Sequence, residues 1–295
     1  MAQAHENDFQ RRVGRIGPTR FLPGTSIEIV REVRLAQPPQ FVLFDFDGTV
    51  SLIREGWQSI MIPMMVELLL ETRSGESSTA LTETVRNYVY ELTGKQTIYQ
   101  MVRLAEEIKK RGGEAREPLT YKQMYHDRLM ARIHDRREAL RSGKADPETM
   151  VVPGTFALLP ELQKRGVRMF LASGTDEGYV LEEARLLKLE PYFGRFIYGA
   201  LDDPTSFSKQ MVIDRILKEN KVPGASLLGF GDGYVEIENV KSSGGTAVGV
   251  ATDEAARSGR PDEWKRDRLI GVGADLIVPD FRESARLVAY LWDGA

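Results

Sequence analysis

The period of the apolar residues changes along the chain, and the change separates three regions. Phe41-Val42-Leu43-Phe44 is an apolar run that leads directly into Asp45, Asp47 and Gly48. A short apolar run bounded by polar and turn-forming residues predicts a buried strand. From about residue 54 to residue 150 the pattern has a helical period of 3.6 residues and contains no good strand candidate. We therefore expect one strand, then a helical insertion, then a further region.

The helical insertion contains four amphipathic patterns separated by short polar segments. Pro63 lies inside the first pattern and is expected to kink that helix or to mark a fresh start. The apolar stripes are expected to form the core of a bundle, whereas His126 and His134 are expected to be exposed. The predicted helices cover about residues 57–69, 79–92, 97–110 and 119–141.

From residue 151 onward, strands and helices alternate regularly. Such alternation predicts an α/β fold in which helices cover both faces of a parallel sheet and ligands bind at the carboxyl ends of the strands. Strands are predicted at 167–172, 195–198, 226–230, 246–250 and 276–278, and helices at 155–165, 177–188, 207–219, 234–242 and 281–292. The domain boundaries that follow are a core of residues 39–53 and 151–295, and an inserted domain of residues 54–150.

Residues 1–38 have a different character, because they are polar, rich in arginine and interrupted by proline and glycine. They are interpreted as an N-terminal extension that is partly disordered. Only its last part, from Ile27 to Leu35, has the apolar residues expected of an edge strand.

The composition excludes several classes of function, whereas it adds little to the prediction of the fold. The chain has 295 residues, of which 42% are hydrophobic, and a formal net charge of -3. This balance gives no general basic surface, so no nucleic-acid partner is expected. There is no cysteine, which excludes disulfides and thiolate chemistry. No apolar run reaches the roughly 18 residues needed to cross a bilayer, so no membrane association and a cytoplasmic location are expected. The oligomeric state is left open.

Polar residues with catalytic potential follow three of the predicted strands. Asp45 and Asp47 are two residues apart, so on an extended chain both point the same way and need a cation or a shared proton. Ser173 follows the strand at 167–172 and could bind a phosphate with nearby backbone N–H groups, or could simply cap a helix. Asp232 follows the strand at 226–230, and Glu236 lies one helical turn later, which suits a hard cation.

Lys209 is the fourth candidate. It follows Ser206-Phe207-Ser208 at the start of a predicted helix, from which a lysine can reach an anion at the neighbouring strand ends. A surface lysine is the alternative interpretation of this residue.

In kind and order, these elements resemble the motifs of the haloacid dehalogenase superfamily, in its phosphatase branch and close to phosphoglycolate phosphatases. The resemblance implies a Rossmann-like parallel sheet sandwiched by helices, with an all-helical cap inserted after the first motif. It covers residues 39–53 and 151–295, while residues 54–150 match the cap only in position and class. The matching residues are Asp45-Phe46-Asp47-Gly48-Thr49, Ser173, Lys209 and Gly231-Asp232, with Glu236 where aspartate is commoner.

The resemblance also implies a mechanism. Asp45 would be the nucleophile that forms an aspartyl-phosphate, and Asp47 would be the general acid and base. Mg2+ would be held by Asp45, by the backbone carbonyl of Asp47 and by Asp232, with Glu236 in or next to that shell. The presence of Asp47 argues against a dehalogenase, because a halide leaving group needs no proton.

The remaining implied contacts concern the substrate, which is expected to be a small phosphorylated metabolite such as a sugar phosphate or a phosphoglycolate-like acid. Ser173, Gly174 and Lys209 would hold its phosphoryl oxygens. The cap would determine which substrate is bound. The candidate substrate contacts are Arg54, Glu55, Lys95 and Gln96, and for each of them the alternative interpretation is an ordinary surface residue.

The expected function is thus a magnesium-dependent phosphatase. Three alternatives remain open at this stage. A phosphomutase would pass the same aspartyl-phosphate to another hydroxyl of a sugar. A binding protein could keep the fold without catalysis, and a phosphatase acting on nucleic-acid ends has little support from the charge balance.

Overall fold

The computed structural model describes residues 9–14, 19–33, 35, 37–201, 203 and 205–294. Its strands form one eight-stranded sheet with the order β1-β2-β8-β7-β6-β3-β4-β5. In chain order these strands are β1 (Arg20–Phe21), β2 (Glu28–Ile29), β3 (Phe41–Phe44), β4 (Arg168–Asp176), β5 (Ile197–Ala200), β6 (Leu227–Gly231), β7 (Thr246–Val250) and β8 (Leu276–Val278).

Strand β3 is an interior strand of the sheet, between β4 and β6, and is parallel to both. Phe44, its last residue, is aligned with Leu171 on one side and with Phe230 on the other. The ring of Phe44 is fully buried and stacks on that of Phe230, with 4.8 Å between the ring centroids. Because the three strands run in the same direction, their carboxyl ends meet at one edge of the sheet.

Helices fill the segments between the strands. Four of them, α1 to α4, occur in succession between β3 and β4, and the described residues of this insertion contain no strand of their own. The helices are α1 (Gln58–Leu70), α2 (Ser78–Glu91), α3 (Thr97–Lys110), α4 (Pro118–Arg141), α5 (Thr155–Lys164), α6 (Glu177–Leu186), α7 (Glu190–Phe193), α8 (Lys209–Asn220), α9 (Tyr234–Ser242), α10 (Glu263–Val272) and α11 (Ser284–Val288). The predicted fold class, an α/β sandwich with an all-helical insertion, is confirmed.

Helix α10 was not predicted from the sequence. It starts after Asp262, whose side chain accepts a hydrogen bond from the backbone N–H of Lys265 at 2.9 Å. Leu269 and Ile270 are buried on its inner face. These few apolar residues follow a long polar stretch, so the helical period is short and weak in the sequence. Helix α1 continues through Pro63 as one helix, so no second helix starts there.

The sheet is mixed rather than wholly parallel, because the N-terminal segment adds antiparallel strands at one edge. Strand β2 pairs with β8, and β1 pairs with β2, both antiparallel. The strand predicted between Ile27 and Leu35 is found at Glu28–Ile29, but it is not the edge strand, because β1 pairs with its outer side. Residues 1–8, 15–18, 34 and 36 of the predicted extension lie outside the described residues. The domain boundaries at residues 38, 53 and 150 stay predictions.

None of the helices in the described part of the chain is both long enough and apolar enough to cross a membrane.

Candidate active site

The carboxyl end of β3 carries the first candidate residue, Asp45. Its backbone N–H donates to the carbonyl of Phe230 at 2.9 Å, so the hydrogen bonding between β3 and β6 continues as far as Asp45. Nζ of Lys209 lies 2.7 Å from Oδ1 of Asp45, and both side chains are buried. Burial raises the pKa of Asp45 to about 7, against the opposing charge of Lys209 and with further repulsion from Asp232.

Asp47 lies beside two hydroxyl groups from the end of β4. Its Oδ2 accepts hydrogen bonds from Thr175 at 2.9 Å and from Ser173 at 3.3 Å. Burial raises the pKa of Asp47 to about 6, although Arg54, with Nε 3.8 Å from Oδ1, opposes this. A carboxyl with such a pKa can both give and take a proton near neutral pH. Oδ1 itself is buried and accepts no hydrogen bond.

Strand β4 is longer than the predicted strand, which ended at Ala172. Ser173 and Gly174 lie within β4, and α6 begins only at Glu177. The hydroxyl of Ser173 is fixed by the backbone N–H of Thr175, which donates to its Oγ at 3.0 Å. A phosphate contact here would therefore be made by the end of the strand. The sequence had suggested a helix N-terminus instead.

Lys209 is placed by the start of α8. Ser208 caps this helix by accepting a hydrogen bond from the N–H of Met211 at 3.1 Å. From the first helical position the side chain of Lys209 reaches both Asp45 and Glu236. Lys209 is thus a buried ammonium shared by two carboxylates, and it is not the surface lysine of the alternative interpretation.

Asp232 follows β6 and is held from two sides. Its backbone N–H donates to Oγ1 of Thr49 at 2.9 Å. Nζ of Lys265, on α10, lies 2.7 Å from Oδ2 of Asp232 and 2.6 Å from Oε1 of Glu254. Sequence reasoning missed Lys265 and Glu254, because α10 was not predicted and neither residue belongs to a short motif.

The sequence did contain signals for two further residues of the site, to which no contact had been assigned. Thr49 belongs to the same short motif as Asp47. Thr175 follows Ser173 by two positions, so on a strand both hydroxyls point to the same side.

The donor chemistry at this edge of the sheet suits Mg2+. No group of three or more His, Cys, Asp or Glu side chains among the residues of the described ranges is arranged to hold a metal ion. Magnesium, however, is usually bound by one or two carboxylates together with waters and substrate phosphate. Asp45 and Asp232 are close enough for the charge of Asp232 to raise the pKa of Asp45. With the backbone carbonyl of Asp47, they form an oxygen donor set of this smaller kind.

Gly48 allows the loop after β3 to lie against Asp232. Its φ is +77°, and a Cβ at this position would fall 2.2 Å from Oδ2 of Asp232. Only glycine combines this backbone conformation with so close an approach. Glu236, the other predicted ligand, contacts Lys209 through its carboxylate.

The insertion closes a cavity of about 100 Å³ over these residues. The loop before α3 forms part of its wall, because a Cβ on Gly94 would lie 3.2 Å from Cα of Gly233, and one on Gly174 would lie 3.0 Å from the carbonyl oxygen of Lys95. Of the predicted contacts in the insertion, Arg54, Glu55 and Lys95 line the cavity.

Gln96 is not among the residues that line the cavity. Its Nε2 instead donates to the backbone carbonyl of Phe207 at 2.9 Å. This residue therefore connects the insertion to the segment before α8.

Arg54 is tied to the core rather than left free in the cavity. Its guanidinium binds both carboxylate oxygens of Glu183 on α6, at 2.8 Å from Nη2 and 3.0 Å from Nε. The side chain of Arg54 is 5% exposed and that of Glu183 is 0% exposed. Glu55 is also paired, with Arg136 at 2.8 Å.

His126 is buried, and the expectation that it is exposed was wrong. It lies on α4 with Nδ1 3.5 Å from Oδ2 of Asp176, which also contacts Lys122. Burial lowers the pKa of His126 to about 4, so the imidazole is neutral at physiological pH. His134 is exposed, as expected.

Together, the parallel strands and the carboxylates at their carboxyl ends define an α/β protein with an acidic, lysine-neutralised site closed by a helical insertion. The family model for haloacid dehalogenase-like hydrolases matches residues 40–244. The chain belongs to this family, and the resemblance noted in its motifs is confirmed.

Individual relatives are more distant. The chain is 27% identical over 146 residues to a phosphoglycolate phosphatase from Pseudomonas syringae pv. tomato, a match that covers 45% of this chain and 53% of that protein. The match thus spans about half the length of this curated relative.

Solved structures share the fold at low identity. One is described as a predicted phosphoglycolate phosphatase from Haemophilus somnus, with a TM-score of 0.54, 14% identity and coverage of 84% of this chain and 97% of the other. Another is a β-phosphoglucomutase from Clostridium difficile, with a TM-score of 0.53, 14% identity and coverage of 83% and 92%. At this identity the similarity concerns the fold alone.

Proposed function

We propose that this protein is a magnesium-dependent phosphatase that hydrolyses a small phosphomonoester through an aspartyl-phosphate on Asp45. The observation that carries the proposal is the contact of Asp45 with the buried ammonium of Lys209, at 2.7 Å, beside a second carboxyl, Asp47, whose pKa is raised to about 6. Nucleophile, cation and proton carrier thus lie on one cavity. Membership of a hydrolase family supports the same conclusion.

In the first step, a carboxylate oxygen of Asp45 attacks phosphorus and the ester P–O bond breaks. The electron pair of that bond goes to the leaving oxygen, which takes the proton of Asp47 and departs as an alcohol. Ser173, the backbone N–H of Gly174 and Lys209 hold the other phosphoryl oxygens, which carry the negative charge of the transition state.

In the second step, Asp47 takes a proton from water as the water oxygen attacks phosphorus. The bond between phosphorus and Asp45 breaks, which frees the carboxylate and releases inorganic phosphate. One carboxyl can serve both steps because its raised pKa lies near the working pH.

Mg2+ would be held by Asp45, Asp232 and the backbone carbonyl of Asp47, and it would supply positive charge to the phosphoryl oxygens. Glu236 would lie next to that shell, where it now contacts Lys209. Lys209 would keep the carboxylates from repelling each other before substrate arrives.

Residues 54–150 would act as the cap that limits the size of the substrate and excludes water. The cavity of about 100 Å³ favours a small phosphorylated metabolite, such as a sugar phosphate or a phosphoglycolate-like acid. Arg54, Glu55 and Lys95 would face that substrate, while Gln96 would hold the closing loop in place. A cytoplasmic enzyme without nucleic-acid partners fits this assignment.

The proposal is tested by measuring phosphate release from a panel of sugar phosphates, short phosphorylated acids and an aryl phosphate, with and without Mg2+. We expect Asp45→Asn to reduce the rate at least 10³-fold, the scale on which such nucleophiles act. Asp127→Asn, an exposed aspartate on the outer side of α4, serves as the matched control and should retain full activity. Equal rates for the wild type and Asp45→Asn would reject the assignment.

The same panel separates hydrolysis from phosphoryl transfer within a sugar. Formation of an isomeric sugar phosphate without free phosphate would identify a phosphomutase instead, and would keep Asp45 as the nucleophile.

A further inference from the structure

Lys265 is a buried ammonium at the candidate metal site that no part of the proposed mechanism uses. It reaches the site from α10, and only 10% of its side chain is exposed. Its Nζ lies 2.7 Å from Oδ2 of Asp232, a carboxylate assigned above to Mg2+. A cationic group of the chain itself therefore occupies one side of a proposed metal ligand.

Glu254 gives this ammonium a second partner. It follows β7, lines the cavity and accepts from Nζ of Lys265 at 2.6 Å. Its Oε1 also lies 3.0 Å from the position that a Cβ on Gly48 would take, so it is at the same face of the loop as Asp232. One ammonium is thus shared by two carboxylates.

We propose that Lys265 is an internal counter-ion that competes with the divalent cation for Asp232, and that Glu254 retains the ammonium when the cation binds. This inference rests on the magnesium site of the proposed function. An ammonium has three donors, so Lys265 can give up its bond to Asp232 while keeping the one to Glu254. In the metal-free protein, Lys265 offsets the repulsion among Asp45, Asp232 and Glu254.

The two residues are then expected to affect metal binding in opposite directions. Lys265→Met removes a positive charge that lies 2.7 Å from Oδ2 of Asp232 and leaves the carboxylates repelling each other, so the metal should bind more tightly. Glu254→Gln removes the negative charge that draws Lys265 away from Asp232, so the metal should bind more weakly. We expect changes of about fivefold or more in each direction, on the scale of charge interactions at such sites.

The test is isothermal titration of the full-length protein with Mg2+, and separately with Mn2+, in the absence of substrate. Lys265→Gln is titrated as well, because it keeps a donor but lacks the charge and should follow Lys265→Met. The matched control is Lys241→Met, which removes a lysine that pairs with Asp275 at 2.8 Å from the last turn of α9 and should leave metal affinity unchanged.

Opposite shifts for the Lys265 and Glu254 variants would support the inference, since a purely structural pair would weaken binding in both. Weaker binding in all variants, or no change in any, would overturn it. A wild type that binds no divalent cation would overturn both the inference and the magnesium part of the proposed function. Opposite shifts in a protein that releases no phosphate from any substrate would leave the inference standing and reject the proposed activity.

Discussion

Replacing Arg54 by methionine is expected to destabilise the protein severely, although the residue lines the proposed substrate cavity. Glu183, its partner, has a side chain that is 0% exposed and would be left as a buried carboxylate without a counter-ion. The change breaks the charge-assisted hydrogen bonds from Arg54 to Glu183, of which the two shortest measure 2.8 and 3.0 Å. At about 1.5 to 3 kcal/mol each, two such bonds amount to about 3 to 6 kcal/mol of unfolding free energy.

The size of the loss depends on the unpaired charge, and a double variant separates this effect from packing. Arg54→Met combined with Glu183→Leu removes both charges and keeps apolar volume, so it should lose only about 1 to 2 kcal/mol relative to the wild type. Arg128→Met is the matched control. Arg128 contacts Glu67 at the same distance of 2.8 Å but at the surface, so its removal should cost less than about 1 kcal/mol.

Urea unfolding followed by circular dichroism measures the wild type, both single variants Arg54→Met and Glu183→Leu, the double variant and Arg128→Met. If Arg54→Met loses no more than Arg128→Met, or if the double variant loses the sum of the single changes, the reasoning about the buried pair is wrong. A rise in KM without loss of stability would instead assign Arg54 to substrate binding alone.

Three further outcomes are expected. Gly48→Ala should abolish activity and metal binding, because its Cβ would meet Asp232, whereas Gly75→Ala, with a φ of +84° and open space around it, should cost only about 1 kcal/mol in urea unfolding. The pKa of Asp47 is raised when the protein folds, so its contribution to stability is present at low pH and is lost as the pH rises from about 4 to about 6. Because 26% of the side chain is exposed, the metal-free wild type should lose about 1 to 2 kcal/mol of unfolding free energy relative to Asp47→Asn over that range. Parallel stability curves for the two proteins would contradict this. Thr175→Val removes a hydrogen bond that lowers the pKa of Asp47, so the alkaline limb of the pH–rate profile should move to higher pH, and a shift to lower pH would refute the role of Thr175.

The sequence was sufficient to predict the parallel strands of the sheet and the polar residues at their carboxyl ends, because both depend on local patterns. Apolar runs mark the buried strands, and short motifs follow them where the chain turns from the core to the cavity. Because parallel strands end at one edge of a sheet, the sequence alone predicts that Asp45, Ser173 and Asp232 lie close together.

The contacts that neutralise those carboxylates could not be predicted in the same way. Lys265 comes from a helix whose apolar pattern is short, and Glu183 is an ordinary acidic residue on an amphipathic helix until the fold buries it against Arg54. His126 was misjudged for the same reason, since burial between α4 and the end of β4 is a property of packing rather than of period. Ion pairs between residues far apart in the chain produce no pattern of fixed spacing in the sequence from which they could be predicted.

The central claim is that Asp45 becomes phosphorylated during turnover. The most direct measurement is to quench the enzyme with acid during reaction with its best substrate, reduce the acyl-phosphate with borohydride, and locate the modified residue by peptide mass spectrometry. The account predicts that residue 45 is converted to homoserine in the wild type, and that no position is modified in Asp45→Asn. Turnover without modification at residue 45, or modification of a different carboxylate, would contradict it.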